Sequence, residues 1–330
     1  MARALVTGGT GFLGSHIARA LIEAGHKVRI LRRAKSPLDL VSDLPVEHAI
    51  GDIMESAALE AAMRGCDWVF HVAAASDYWR TGKTRLYLVN VQGARNVFEI
   101  AQRSGVARVI FTSSGAAVGL RSDGQPSTEA DAFNLPPDQF AYGHSKWLAE
   151  QEAWRFVERG SDIVAVNPSA VFGPGDLNQI SGSAVVEAAR GSVIVYPRGG
   201  MTVIDVRDVA KAHIAAAERG VKGERYLVGK ESLPHKYLLD LTAEIVGAPK
   251  PFIPIPRAAT PVIVGAIRLL NRLNIQLPIN ADQVRLSTRN VFFDCRKAWA
   301  AFGEPEIDVR RSLQDTYEWY CETGIIKRKN

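Results

Sequence analysis

The stretch ALVTGGTGFLGSH, residues 4–16, joins an apolar run directly to a glycine-rich turn and to the start of a helical pattern. Gly8 can make a tight turn, Gly11 lets the backbone approach a pyrophosphate, and Gly14 permits close packing of helix on strand. The N-terminus of the helix adds free N–H donors and a partial positive charge. The stretch therefore predicts a strand–turn–helix unit that binds the pyrophosphate of a dinucleotide. The residues predicted to contact it are Gly8, Gly11, Phe12, Leu13 and Gly14.

The alternation of apolar runs and helical patterns continues outward from this stretch to about residue 175. Six runs are apolar throughout, as strands covered on both faces of a parallel sheet must be. They read RALVTG, KVRILR, VEHAIGD, DWVFHVA, RVIFTSS and DIVAVNP. Helical patterns lie between them, and most of these end on the glycine of a helix stop. The alternation predicts an α/β protein with a Rossmann-type, doubly wound parallel sheet.

The regular alternation fades after residue 175, where Pro and Gly become frequent and short strands such as MTVIDV and RYLVG appear. This change predicts a smaller C-terminal α+β domain that is interleaved with the first, with no free linker between them. We expect residues 1–175 and 201–230 to form the dinucleotide-binding domain. We expect residues 176–200 and 231–330 to form the substrate domain.

The composition argues against several other classes of protein. The formal net charge of +5 comes from arginines spread along the whole chain, so no nucleic-acid partner is expected. The chain starts without the pattern of a signal peptide, and its most apolar late segment, which begins at Ala259, is interrupted by Arg268 and too short for a membrane span. The 3 cysteines are widely separated and lack metal-ligand spacing. We therefore expect a cytoplasmic protein with reduced thiols and no metal site.

The segment RILRRAKS, residues 29–36, predicts which dinucleotide is bound. An acidic residue at this place would bind a ribose 2′-hydroxyl, but the chain has Arg32, Arg33 and Lys35, which suit a 2′-phosphate. NADP(H) is therefore favoured, with NAD(H) as the alternative. After the third and fourth strands, Asp52 is placed to bind the adenine amino group, and small side chains leave room for the dinucleotide. The further predicted contacts are Asp52, Ile53, Ala73, Ala74 and Ala75.

A tyrosine and a lysine stand four residues apart in FAYGHSKW, residues 140–147. Positions four apart share one face of a helix, so the ammonium of Lys146 is expected to lower the pKa of Tyr142 from its usual value of about 10. Tyr142 could then exchange a proton with a substrate oxygen. The spacing alone is a weak signal, but Ser114 ends the fifth predicted strand at the same sheet edge. Its hydroxyl can hydrogen-bond the same substrate oxygen.

These motifs together resemble the extended short-chain dehydrogenase/reductase family over essentially the whole chain. TGGTGFLG matches the family pattern TGxxGxxG, YGHSK matches YxxxK, and FTSSGAAVG is similar to its serine segment. The resemblance implies that Ser114, Tyr142 and Lys146 form a catalytic triad and that Lys146 also holds the nicotinamide ribose. It further places Pro168 and Val171 beside the nicotinamide ring.

Within that family, HVAAASDYW, NPSAVFGP and GERYLVG most resemble the dihydroflavonol reductase-like branch of the epimerase/dehydratase superfamily. The resemblance implies an NADPH-dependent reductase of aldehydes or ketones. Two positions depart from relatives of known type: Met201 stands where sugar-nucleotide epimerases usually carry an arginine, and Gly119 where plant flavonoid reductases carry an asparagine. The candidate pocket is mostly apolar, which favours a hydrophobic or aromatic carbonyl substrate. Its residues are Tyr78, Trp79, Val118, Phe172, Met201 and Ile204.

Two alternative functions and the question of a homodimer stay open at this point. The same triad serves a nucleotide-sugar epimerase or dehydratase with tightly bound NAD(P), and a non-catalytic NADP(H) sensor is a further interpretation. Trp147 and Trp154 lie on helical patterns that resemble the family's four-helix dimer seam, so a homodimer and burial inside one chain are both compatible with the sequence.

Overall fold

A computed structural model describes residues 1–76, 81–272 and 281–327 of the chain. The strands are β1 (Arg3–Thr7), β2 (Lys27–Arg32), β3 (Glu47–Ile50), β4 (Trp68–His71), β5 (Arg108–Thr112), β6 (Ile163–Pro168), β7 (Ala170–Phe172), β8 (Val195–Pro197), β9 (Gly200–Asp205), β10 (Arg225–Val228), β11 (Glu231–Pro234), β12 (Ile253–Ile255) and β13 (Asn290–Val291). The helices are α1 (Phe12–Glu23), α2 (Ser56–Met63), α3 (Lys83–Tyr87), α4 (Gly93–Arg103), α5 (Ala141–Glu158), α6 (Ser183–Ala189), α7 (Val206–Arg219), α8 (His235–Val246), α9 (Thr260–Arg272), α10 (Ala281–Ser287), α11 (Arg296–Phe302) and α12 (Val309–Glu322). A π-helical segment covers Leu88–Gln92, and 3-10 turns cover Gly115–Ala117 and Arg257–Ala259.

Seven strands form one parallel sheet in the order β10-β6-β5-β4-β1-β2-β3. The chain builds outward from β1 to β3 and then restarts with β4 on the other side of β1. The strand order therefore reverses between β1 and β4, and ligands of open α/β sheets bind at the carboxyl ends of the strands at such a point. The predicted doubly wound sheet and its six strands are confirmed, and RYLVG supplies the seventh strand.

The large sheet is buried between two layers of helices. In β1, Ala4 and Val6 pack with apolar residues of α1 and α7, whereas Leu5 packs with residues of α2, α4 and α5 on the opposite face. Successive residues of a strand point to opposite faces, so a strand covered on both sides must be apolar at every position. This is why the first strand shows no polar alternation in the sequence.

A second, smaller apolar core lies in the later part of the chain. It includes Val185 of α6, Leu238 of α8, and Leu313 and Tyr320 of α12. The accompanying strands form the order β11-β9-β13, with β7 also paired to β9, and a separate β12-β8 pair. The boundaries of the two expected domains stay a prediction.

The three cysteines are free thiols: Cys66 and Cys295 are buried, and Cys321 is half-buried. Among the helices in the described part of the chain, none has both the length and the apolar character that a bilayer crossing requires.

Candidate active site

The glycine loop between β1 and α1 is built around close backbone contacts. Gly8 has a left-handed backbone with φ of +69°, and a Cβ added to it would lie 2.9 Å from backbone atoms of Ala73. A Cβ on Gly14 would lie 2.2 Å from the carbonyl oxygen of Gly8. Neither position therefore accepts a side chain. Helix α1 starts after Gly11 without a side-chain cap, so its first N–H groups are available to an anion such as a pyrophosphate.

The side chains of the other two predicted loop residues pack near the start of α1. Leu13 is partly buried against the core under α1 and α7. The Phe12 ring lies 6.0 Å from the His16 ring, centroid to centroid, in an edge-on arrangement. Their backbone N–H groups, and not their side chains, are the groups that a pyrophosphate would use.

Thr7, the last residue of β1, ties the glycine loop to the segment after β4. Its Oγ1 accepts hydrogen bonds from the backbone N–H groups of Val72 and Ala73, each at 3.2 Å, and lies 2.9 Å from Nδ1 of His71. We did not predict this role, because the partners of Thr7 are 65 and 66 residues away in the chain. The hydroxyl brings the predicted Gly8 and Ala73 positions together at the switch point.

The segment after β4 is fixed a second time by Asn90, which lies in the π-helical segment before α4. Its Oδ1 accepts from the Ala75 N–H at 2.8 Å, and its Nδ2 donates to the Ala75 carbonyl at 3.2 Å and to the Ser145 hydroxyl at 3.0 Å. Ala74 lies half-buried between the two anchored residues, Ala73 and Ala75. Asn90 therefore holds the predicted dinucleotide segment against α5.

The predicted 2′-phosphate residues lie at the end of β2. Arg32 donates through Nε to Nδ1 of His48 at 3.1 Å and through Nη1 to two carbonyl oxygens of the turn that follows, those of Arg33 and Ala34. The side chains of Arg33 and Lys35 are exposed. Positive charge is therefore concentrated at this corner, and Arg32 is already held by neighbouring groups.

The two residues predicted after β3 have other partners in the chain. Oδ1 of Asp52 accepts from the Met54 N–H at 3.0 Å and so stabilises the turn into α2. Ile53 is buried in the core under α2 and α4, where its side chain packs against Gly93. Their contacts with a dinucleotide stay predictions.

Ser114, Tyr142 and Lys146 converge at the carboxyl end of β5. Tyr142 and Lys146 lie in α5, and the Ser114 side chain is near enough to the Tyr142 hydroxyl to act on its pKa. Nζ of Lys146 donates to the Thr112 carbonyl at 2.9 Å and lies 5.3 Å from the centroid of the Phe111 ring. The sequence-predicted triad is thus brought together by one helix and one strand end.

The close approach of α5 to the serine segment depends on Gly143, which we did not predict as a site residue. A Cβ at this position would lie 2.3 Å from the carbonyl oxygen of Ala116, in the 3-10 turn that follows Ser114. Glycine in the interior of a helix normally costs about 1 kcal/mol relative to alanine. Here its absence of a side chain lets Tyr142 reach Ser114. The available signal was a glycine directly after the tyrosine in a helical pattern.

We expected Lys146 to lower the pKa of Tyr142, and this expectation is wrong: the pKa of Tyr142 is raised in the folded chain. Burial raises the pKa of Tyr142 above 10, and the hydrogen bond with Ser114 only opposes this change. Burial also lowers the pKa of Lys146 to about 8, with the negative charge of Glu150 acting in the opposite direction. The phenol therefore carries its proton at neutral pH, which suits a proton donor.

Two further predicted residues lie on either side of the turn between β6 and β7. Pro168 is buried at the end of β6, and its carbonyl oxygen packs against Gly115, next to Ser114. Val171, in β7, is half-buried against the core under α1 and α7 and pairs with Ile204. Pro168 is therefore brought to the serine segment.

The predicted substrate residues are only partly gathered by the fold. Tyr78 and Trp79 lie outside the described residues. Val118 is buried with Phe293, and Met201 is half-buried against the second core. The remaining two, Phe172 and Ile204, are buried in apolar clusters. The sequence could not separate core from pocket wall here, because both use apolar side chains. The pocket assignment stays a prediction.

The two tryptophans of the predicted dimer seam lie on α5. Trp147 stacks on His144, with ring centroids 5.6 Å apart, and Trp154 packs partly against the core under α4 and α5. Both therefore have partners within one chain, and dimerisation stays a prediction.

The chain is similar to known proteins in both sequence and structure. A family model described as the NAD dependent epimerase/dehydratase family matches residues 4–229. A Synechocystis protein with the provisional name dihydroflavonol 4-reductase is 35% identical over 331 residues, covering 98% of this chain and 95% of that protein. Cinnamoyl-CoA reductase 1 of Oryza sativa subsp. japonica is 33% identical over 257 residues, covering 73% of this chain and 75% of that protein.

A solved structure resembles the whole chain. The crystal structure of a protein named a nucleoside-diphosphate-sugar epimerase from Pseudomonas aeruginosa superposes with a TM-score of 0.83 and 25% sequence identity, covering 99% of each chain. The comparisons thus include relatives with reductase names and a structural relative with an epimerase name.

Proposed function

Because the chain belongs to the NAD dependent epimerase/dehydratase family and is an NAD(P)-dependent oxidoreductase of the extended short-chain type, we propose that it reduces an aldehyde or ketone to an alcohol with NADPH. The observation that carries the proposal is the placement of the Tyr142 hydroxyl near the Ser114 side chain, with Lys146 one helical turn along the same face. The reductase names of two relatives support the same reaction class.

In the proposed reaction NADPH, when bound, supplies a hydride to the carbonyl carbon. Tyr142 gives its proton to the carbonyl oxygen, and the Ser114 hydroxyl positions that oxygen by a hydrogen bond. The raised pKa of Tyr142 supports this direction, because a proton-bearing phenol is the form that a reductase needs. Lys146 stabilises the phenolate that forms and, when the cofactor is bound, would hold the nicotinamide ribose.

The preference for NADPH rests on the basic corner at the end of β2. Arg32, Arg33 and Lys35 would bind the 2′-phosphate, and Arg32 is held in place by His48. Loss of the Arg33 and Lys35 charges in a double alanine variant is expected to weaken NADPH binding at least tenfold and to leave NADH binding nearly unchanged. Fluorescence titrations with both nucleotides measure this difference, and equal losses for the two would contradict it.

The direct test of the reaction is NADPH oxidation at 340 nm with a panel of apolar and aromatic aldehydes and ketones. Tyr142→Phe is expected to lower the rate at least a hundredfold, since general acid catalysis contributes about 10²–10⁴-fold. Tyr237→Phe is the matched control, because that tyrosine is 51% exposed on α8. A Tyr142→Phe variant that keeps its melting temperature and full activity would refute the assigned role.

The second candidate is a nucleotide-sugar epimerase or dehydratase, which the name of the Pseudomonas aeruginosa relative favours. Purified protein is incubated with UDP- and GDP-sugars, and the products are separated by chromatography. Interconversion of a sugar without net NADPH consumption would replace the reductase proposal. If neither reaction occurs while NADP(H) still binds, a non-catalytic sensor becomes the better description.

A further inference from the structure

A buried carboxylate outside the triad lies one turn beyond Lys146 on the same helix. Glu150 is 0% exposed, and each of its oxygens accepts hydrogen bonds. Oε1 accepts from the Ser113 hydroxyl and, at 2.6 Å, from Nδ2 of Asn167, while Oε2 accepts from Nη1 of Arg225 at 2.8 Å. The three donors come from the end of β5, from β6 and from β10, which are adjacent strands. A carboxylate with this many partners is fixed in position.

Glu150 is linked to the serine segment through the side chains of Asn167 and Ser113. Nδ2 of Asn167 donates both to Glu150 and, at 3.0 Å, to the carbonyl oxygen of Ser114. The other donor to Oε1, Ser113, is the residue directly before Ser114. The carboxylate therefore holds the Ser113 side chain directly and the Ser114 carbonyl through Asn167.

Glu150 is linked to Lys146 through its charge. Residues four apart on a helix have Cβ atoms about 5–6 Å apart, and the negative charge of Glu150 opposes the loss of the Lys146 proton that burial favours. Burial, with the charge of Lys146 acting in the same direction, lowers the pKa of His71 of β4 to about 3, so this histidine is neutral. Tyr142 is neutral as well. Glu150 is thus the one described group that raises the pKa of Lys146.

Burial raises the pKa of Glu150, and the positive charge of Arg225 and the hydrogen bonds from Ser113 and Asn167 oppose this change and favour the carboxylate. The Arg225 side chain is 14% exposed, and its remaining nitrogens donate to the carbonyl oxygens of Glu129 and Asp131. A buried charge is tolerated when it is paired and when its hydrogen bonds are complete. Arg225 is thus paired with Glu150, whose negative charge also acts on Lys146.

We propose, on the basis of the proposed reductase function, that Glu150 is a positioning residue: through Ser113 and Asn167 its carboxylate fixes the segment that carries Ser114, and it places a negative charge one helical turn from Lys146. Neither effect requires Glu150 to touch the substrate or the cofactor.

The test uses Glu150→Gln in the full-length protein, because the amide keeps the shape and removes the charge. Loss of an adjacent opposite charge is expected to move the pKa of Lys146, and with it the alkaline limb of the reduction rate, to lower pH by about one to three units. The pKa of Lys146 is measured independently of activity by NMR of protein labelled with ¹³C-lysine, with the signal assigned through Lys146→Arg. Glu150→Asp keeps the charge and is expected to keep the limb near its wild-type position.

The matched control is Glu152→Gln, because Glu152 lies on the same helix but pairs at the surface with Arg155. This variant should leave the alkaline limb and the Lys146 signal unchanged. If Glu150→Gln does not fold, the double variant Glu150→Gln, Arg225→Met removes both buried charges, and the Lys146 pKa is still expected to fall.

The outcomes separate this inference from the proposed function. A folded Gln variant in which Lys146 keeps its wild-type pKa overturns the role of Glu150, even if the wild-type protein is a reductase. Conversely, a wild-type protein that reduces no carbonyl compound, but whose Lys146 pKa falls in Glu150→Gln, refutes the proposed function and retains the electrostatic role of Glu150.

Discussion

The buried His213 makes a quantitative prediction about the pH dependence of folding. This residue of α7 is 0% exposed, and its Nδ1 lies 2.8 Å from the carbonyl oxygen of Val209. Since a carbonyl oxygen only accepts, Nδ1 donates, and Nε2 must then accept from the Thr112 hydroxyl at 2.9 Å. Burial lowers the pKa of His213 to about 4. The folded protein therefore holds this imidazole neutral at pH values where the unfolded chain would protonate it.

The magnitude follows from the two pKa values. The unfolded chain has the ordinary histidine pKa of about 6.5, so between that value and about 4 the unfolded state binds one more proton at this site. The stability that the neutral imidazole provides is complete above pH 6.5 and is lost as the pH falls through that value. Each pH unit within the window costs about 1.4 kcal/mol. From pH 7 to pH 5 the loss from His213 alone is about 2 kcal/mol.

Urea unfolding of the wild type and of His213→Gln at pH 7, 6 and 5 measures this contribution. Gln cannot titrate, so the free energy of unfolding of this variant should fall less steeply with decreasing pH than that of the wild type. The two slopes should differ by about 1.4 kcal/mol per pH unit. Thr112→Val is the control, because it removes a hydrogen bond and lowers stability by about 1–3 kcal/mol at every pH while the histidine still titrates. Equal pH slopes for the wild type and His213→Gln would refute the reasoning.

Two further substitutions test the contacts that assemble the site. In Gly143→Ala, the new Cβ meets the Ala116 oxygen at 2.3 Å, so α5 must move away from Ser114; a displacement of about 1 Å is expected to lower NADPH oxidation about a hundredfold, and a fully active variant would contradict this. In Thr7→Val, two backbone N–H groups and His71 lose their partner. The expected loss is about 3 kcal/mol by urea unfolding, with weaker NADP(H) binding by fluorescence titration, and unchanged values of both would show that the hydroxyl is dispensable.

The parts of the fold that were predictable are those whose signals are local. The glycine loop combines three positions in one short turn: the left-handed backbone of Gly8 and the contact of Gly14 with the Gly8 carbonyl oxygen are both local reasons for glycine. The central strands β1, β4, β5 and β6 were recognisable because a parallel strand buried on both faces is apolar at nearly every position. Tyr142 and Lys146 were predictable as neighbours because helical spacing fixes their shared face.

The contacts that the sequence did not predict join residues that are distant in the chain. The pairing of Glu150 with Arg225 spans 75 residues and depends on β10 lying beside β6, which no local pattern of letters specifies. The pKa of Tyr142 was mispredicted for a related reason. Helical spacing indicated a nearby ammonium, but the burial that raises this pKa comes from the packing of α5 on the sheet.

Tyr142 and Lys146 depend on each other in the proposed mechanism. Tyr142 holds its proton at neutral pH because a phenolate is poorly solvated in this site. Giving up that proton during reduction leaves the same unfavourable phenolate, unless a positive charge is nearby. Lys146 supplies the charge only below its pKa of about 8, where Glu150 helps to retain it. Reduction therefore requires the pH range in which Tyr142 is protonated and Lys146 is charged, so its rate should fall as the pH rises through about 8.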